Sequence, residues 1–268
     1  MMKSLYLFVD SERPDQYLNS IVHGILNDGV RSVFFWHIRR PDGDEQPVPD
    51  GYSARVMSDV QALLSSLADR AEYIDRKRGT VPLSDIYDSE DTKRIQEYYA
   101  RCRSISVSYT NEDIPYETLR QRIRQICKNA PYICDVTGLR KRYLGDIVAA
   151  GLVENLKSLF IFDLLDSLDF DQPWTMLIHN SDHPNRRRYR FVDVLNTEVY
   201  RDCSRSVAVR APAVLILVAV SALMIGVGLV LTLWLGPNSS YAKYLSYISQ
   251  LAGIVGLVIS FLSLKAPK

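Results

Sequence analysis

Residues 135–141 read DVTGLRK and lie between an apolar run, Tyr132-Ile133-Cys134, and a helical pattern that begins at Tyr143. A strand-to-helix turn of this kind lies at the carboxyl edge of an open α/β sheet, where such sheets bind ligands. Thr137 offers a hydroxyl, and Gly138 lets backbone come close to a bound group. Arg140, Lys141 and Arg142 bring positive charge to a helix start whose free amides already attract anions. Together these groups can hold a phosphodiester. The same residues also suit a plain capped turn, with Asp135 or Thr137 as the cap and the basic residues in water.

The spacing of Asp135, Thr137 and Lys141 resembles a ligand-binding signature of CARF domains, the CRISPR-associated Rossmann-fold sensors: Asp or Asn, any residue, Ser or Thr, three residues, then Lys or Arg. The resemblance covers the arrangement of about the first 165 residues. It implies a cyclic oligonucleotide ligand, in particular a cyclic oligoadenylate, bound across a homodimer or higher homo-oligomer and switching a fused effector. It also directs attention to the turn after the first strand, which carries Asp10, Ser11 and Glu12. Carboxylates repel phosphates, so Ser11 and backbone amides are the expected contacts there. The ligand set implied is Ser11, Asp135, Thr137, Gly138 and Lys141. No resident cofactor is expected.

The elements needed to position that site are legible as alternating patterns. Leu5–Val9 is a short apolar strand, and Tyr17, Leu18, Ile21, Val22, Ile25 and Leu26 keep helical spacing until Asn27-Asp28-Gly29. Strands are expected at 33–38, 104–109, 132–136 and 158–164, and helices around 56–67, 116–127 and 144–152. Strands that alternate with helices predict a Rossmann-like α/β domain over 1–165, with a mostly parallel sheet covered on both faces. Beyond it, 174–179 (WTMLIH) and 189–194 (YRFVDV) read as a β-hairpin, so 166–210 is expected to form a β-rich appendage and linker. Its turn carries Arg186-Arg187-Arg188, which suits either solvent or an anionic surface.

The last quarter reads differently. Residues 213–235 (AVLILVAVSALMIGVGLVLTLWL) and 245–264 (LSYISQLAGIVGLVISFLSL) contain no charged side chain. A helix needs roughly 20 apolar residues to cross a bilayer, so 211–268 is expected to form a two-helix transmembrane hairpin. Arg201, Arg205 and Arg210 before it, and Lys265 and Lys268 after it, place both ends in the cytoplasm of an inner-membrane protein. In the second run Ser246, Ser249, Gly253, Gly256, Ser260 and Ser263 make a small-residue stripe with Gln250 beside it. Such a stripe suits helix packing or a pore lining. A sensor joined to two such helices resembles membrane-acting CARF effectors and other two-helix antiphage effectors, in which an infection signal drives oligomerisation and loss of membrane integrity.

Other chemistry is sparse. The net charge of +1 argues against wholesale double-stranded nucleic-acid binding. The four cysteines, Cys102, Cys127, Cys134 and Cys203, have no metal-ligand spacing. There is no Walker-type loop and no serine-nucleophile elbow. His23 and His37 sit in apolar patterns and suit structural roles, while His179 and His183 lack further ligands. The sequence therefore predicts a signal-gated, non-enzymatic membrane effector of prokaryotic antiviral defence. A membrane-anchored nuclease or cyclic-nucleotide phosphodiesterase and a partner-gated membrane toxin are the alternatives.

Overall fold

The computed structural model describes residues 3–39, 51–76, 78–128, 131–165, 169, 171–180, 189–198 and 200–202, with isolated positions between 220 and 247. The chain divides into two compact units, Met1–Tyr200 and Arg201–Lys268.

The first unit is built on a six-stranded sheet. In chain order its elements are β1 (Lys3–Phe8), α1 (Pro14–Asn27), β2 (Val30–Arg39), α2 (Tyr52–Arg70), β3 (Glu72–Asp75), β4 (Gly79–Pro82), α3 (Ser89–Ser104), β5 (Ser108–Pro115), α4 (Leu119–Lys128), β6 (Tyr132–Asp135), α5 (Lys141–Glu154), β7 (Leu159–Leu164) and β8 (Tyr189–Asp193). The sheet runs β5-β2-β1-β6-β7-β8, while β3 and β4 form a separate antiparallel ribbon. All pairings in the sheet are parallel except β7 with β8. Counting only its own strands, the order is third, second, first, fourth, fifth, sixth. That is a doubly wound, Rossmann-like sheet.

Period-two alternation explains the two cores. Leu5, Leu7 and Val9 of the first strand and its exit face one core with Val33 and Phe35, packed with the buried residues of α1, α2 and α3. Tyr6 and Phe8 face the other with Trp36 and Ile38, under Leu119, Ile123 and Ile126 of α4 and Tyr143 and Ile147 of α5. A strand covered on both faces has no polar side, so Leu5–Phe8 is buried at every position.

Three departures from the expected elements have physical reasons. Residues 174–179 are not a strand: Pro173–Met176 and Ile178–Asn180 are 3-10 turns, with Trp174, Met176, Leu177 and Ile178 buried. A short apolar run does not separate a buried strand from a buried turn. Asn19 of α1 decides the matter by donating from Nδ2 to the Met176 carbonyl at 2.9 Å and accepting from the Ile178 amide at 2.8 Å. The second half of the expected hairpin, β8, instead extends the main sheet beside β7, with Phe191 stacked on Phe160 at 4.7 Å and Tyr189 on Phe162 at 4.9 Å. The strand expected at 104–109 begins only at Ser108, because α3 runs to Ser104.

The transmembrane expectation is overturned. Among the described residues no helix is long and apolar enough to cross a membrane. The longest, α2, has 19 residues but carries Arg55, Asp59, Asp69 and Arg70. The fold class is therefore corrected to a mixed α/β sheet domain with no membrane-spanning helix among the described residues, and the two-span inner-membrane location is unsupported with it; most of 211–268 lies outside the described residues. Ser246, Ser249, Gln250, Gly253, Gly256, Ser260 and Ser263, with Arg186-Arg187-Arg188, lie outside the described residues.

Candidate ligand crevice at the sheet edge

Strand order reverses between β1 and β6, where Leu7 stands beside Asp135. Connections leave β1 and β6 toward opposite faces of the sheet, so their exit turns border an open crevice. Residues 9–13 form one wall and 136–140 the other.

The β1 turn is wound around a buried phenol. Tyr17 Oη accepts from the amides of Asp10 (3.1 Å) and Ser11 (2.8 Å) and donates to the Ser11 carbonyl (2.9 Å). Its environment pushes the Tyr17 phenol well above its ordinary range, chiefly through burial. The amides expected to greet a phosphate at this turn are thus already engaged. Ser11 Oγ accepts from the Arg13 amide at 3.2 Å. Gly138 closes over the same ring: a Cβ there would lie 2.6 Å from Tyr17 Oη, so only glycine lets the β6 turn approach the β1 turn.

The β6 turn is similarly self-bonded. Asp135 is buried, and its Oδ1 accepts from the Thr137 amide at 2.6 Å. Burial raises the Asp135 pKa, opposed in part by the hydrogen bond from the Thr137 amide. Thr137 Oγ1 accepts from the Phe162 amide at 2.7 Å, tying the turn to β7. Asp135, Thr137 and Gly138 therefore shape the crevice from beneath. Arg140 and Lys141 project at its rim, both exposed.

Their placement is electrostatically unusual. Helix α3 begins with Glu90 and Asp91 and ends with Arg101 and Arg103, matching the helix dipole. Helix α5 begins with Lys141, directly after Arg140, and has no acidic residue in its first turn. Arg140 Nε lies 3.3 Å from Asp10 Oδ2 across the crevice. No described residue forms an ion pair with Lys141.

The acidic turn is neutralised residue by residue. Glu12 meets Arg55 of α2 at 2.6 Å and Arg76, between β3 and β4, at 2.5 Å; Arg76 also meets Asp59 at 3.1 Å. The Arg76 hydrogen bond foremost, aided by the fields of Arg55 and Arg76 and the Arg55 hydrogen bond, holds the Glu12 carboxyl below its usual range against desolvation. The Tyr52 phenol is pushed up to about 12, mainly by burial and then by Glu12 and Asp10, with Arg55 and Arg140 opposing. Both ion-pair groups therefore act on this one hydroxyl. Beneath it, Tyr52 packs on His37 with ring centroids 4.4 Å apart, and His37 Nδ1 bonds the Val9 carbonyl at 2.9 Å.

A cleft of about 230 Å³ opens beside Thr137, between the start of α1 at Arg13 and Gln16 and the end of β7 at Phe162 and Leu164. Among the described residues no group of three or more His, Cys, Asp or Glu could hold a metal ion.

The structure thus brings Ser11, Asp135, Thr137, Gly138 and Lys141 to one sheet edge, but divides their work. Lys141 faces outward, and the others build the walls. Arg55, Arg76 and Tyr52 have no place in the sequence reading of the site, and Tyr17 figures there only as part of the apolar face of a helix. Arg55 alone carried a signal, as a basic residue in the first turn of a helix that follows Gly51. Arg76 comes from a ribbon whose docking no local pattern announces.

No protein-family model matches the sequence, and no curated protein matches it. Among solved structures, a chain described as Enterococcus italicus Csm6 bound to cyclic hexa-2'-fluoro-hexa-dAMP aligns with a TM-score of 0.36 and 10% identity. The alignment covers 98% of the present chain and 56% of that chain, so the present chain spans about half the other's length.

Proposed function

We propose that the sheet domain is a sensor for a cyclic oligonucleotide second messenger in prokaryotic antiviral defence, acting as a homodimer or higher homo-oligomer. The observation that carries this reading is the start of α5. Arg140 and Lys141 stand at the positive end of a helix, at the rim of a topological switch point, with no acidic residue in that first turn. A cation there is unfavourable alone; Asp10 offsets Arg140, while Lys141 becomes favourable once an anion bridges it and the helix amides. A phosphodiester supplies that anion. The rigid turn beneath, with Thr137 bonded to β7 and Gly138 closed on Tyr17, fixes the rim before a ligand arrives. Signalling then requires that the ligand favour one arrangement of the domain over another.

Calorimetric titration of the purified protein with cyclic tetraadenylate and cyclic hexaadenylate tests the reading directly. One of these rings should bind, and Lys141→Glu should weaken it about tenfold or more, since a charge-assisted contact contributes about 1.5–3 kcal/mol. Failure of both rings to bind the unmodified protein would remove this function.

A further inference from the structure

We infer that Arg55 and Arg76 form a second oxyanion subsite, and that the Glu12 carboxylate occupies it as an internal stand-in for a ligand phosphate. This rests on the reading of the crevice as a phosphodiester site and adds to it a second contact and a competitor.

Three observations support it. First, the contacts are those an oxyanion would make: one carboxylate oxygen of Glu12 lies 2.6 Å from Arg55 Nη2, and the other lies 2.5 Å from Arg76 Nη1. Guanidinium groups bind carboxylate and phosphate through the same fork of donors. Second, the three groups come from three separate elements: the β1 turn, the first turn of α2, and the link between β3 and β4. Their convergence at the sheet edge is built by the fold. Third, the trio is open to water, with Glu12 51% exposed and the two arginines 46% and 47% exposed, so an incoming anion can reach it.

Arg55 lies over the Tyr52 ring, 5.4 Å from its centroid, and Tyr52 packs on His37, which bonds the Val9 carbonyl, so the subsite borders the same β1 exit whose Asp10 meets Arg140 of the rim. A ligand with phosphates spaced around a ring can engage both, whereas a single phosphate engages one. When phosphate takes the arginines, Glu12 must leave them. The β1 turn then loses its ion pairs to α2 and to the ribbon while Tyr17 still holds its backbone. Exposed ion pairs are individually weak, so displacement is within reach of a polyanion. Glu12 thereby raises the ligand concentration required for occupancy.

Two probes, inorganic pyrophosphate and cyclic tetraadenylate, are titrated calorimetrically into the full chain and into Glu12→Gln and Arg76→Gln, with circular dichroism confirming the fold of each. Neutralising the competitor should tighten pyrophosphate about three- to tenfold, and Arg76→Gln should weaken it by a similar factor. A Glu12 that merely braces the turn gives the opposite sign: Glu12→Gln would leave affinity unchanged or reduced, and that result overturns the subsite. The two readings fail separately. Pyrophosphate behaving as expected while neither cyclic tetraadenylate nor cyclic hexaadenylate binds would keep the subsite and remove the proposed messenger. Cyclic tetraadenylate binding that depends on Lys141, with Glu12→Gln tightening neither probe, would keep the messenger and remove the subsite.

Discussion

At the scale of single residues, the chain spends its buried polar groups on bracing. His179 is buried with Nδ1 2.9 Å from Tyr99 Oη, and burial depresses its pKa to about 3. In the unfolded chain a histidine titrates near 6.5. Between those values the unfolded state binds the additional proton, so folding stability contributed by the neutral ring is full above about pH 6.5 and is lost as pH falls toward 3. The slope approaches about 1.4 kcal/mol per pH unit in that window. Urea unfolding at pH 7.5 and pH 4.5 should show a larger loss for the unmodified protein than for His179→Gln, which has no proton to gain. Equal losses would mean that the ring is solvated in the folded state. Asp135 works in the opposite sense, because its raised folded pKa favours the native state on acidification. The comparison of variants, rather than the absolute pH profile, isolates the histidine.

At the scale of elements, helix starts carry the most information. Helix α2 begins after Gly51, whose φ of 78° lies in the left-handed region. Its first amides donate to a carboxylate from another strand: Gly51 N to Asp113 Oδ2 at 3.0 Å and Ser53 N to Asp113 Oδ1 at 3.2 Å. Asp113→Ala should cost about 1 kcal/mol, the usual value of a lost cap, measurable as a lower urea midpoint with an unchanged denaturant slope. No change in midpoint would show that water replaces the carboxylate without loss. This cap was invisible in the sequence because cap and helix are about 60 residues apart. The same limit decides the rest. Period-two and helical spacings within about ten residues revealed β1, α1, β2, α2, α4, β6, α5 and β7. Helix α3 escaped because only Ile95, Tyr99 and Cys102 are buried along its 16 residues, leaving a faint apolar stripe. The segment 174–179 was misread because its conformation is set by Asn19, far upstream. At the site, the β6 turn was legible as a local motif. The arginines gathered around Glu12 depend on tertiary docking and were not.

At the scale of the molecule, both cores belong to the first compact unit, and its last sheet strand, β8, ends at Asp193. A chain shortened after Asp202 should therefore unfold cooperatively in urea, with coincident fluorescence and circular-dichroism transitions. Separate transitions, or a collapsed state without near-ultraviolet dichroism, would show that residues beyond 202 are needed to complete the unit. If the shortened chain folds, its affinity for cyclic tetraadenylate can be compared directly with that of the full chain.

The central strand pairs with β2, which follows it closely, and with β6, whose residues 132–135 come far later. On the ribosome this becomes a matter of timing. After residue 39 has been added, 93 more must follow before residue 132 exists, which at about 5–20 residues per second takes roughly 5–20 s. Throughout that interval the backbone edge of Ser4–Leu7 has no native partner, and the apolar side chains of β1 await their second cover. An open apolar strand edge is a template for pairing with other chains. The strand at the centre of the finished sheet is, during synthesis, its most vulnerable border.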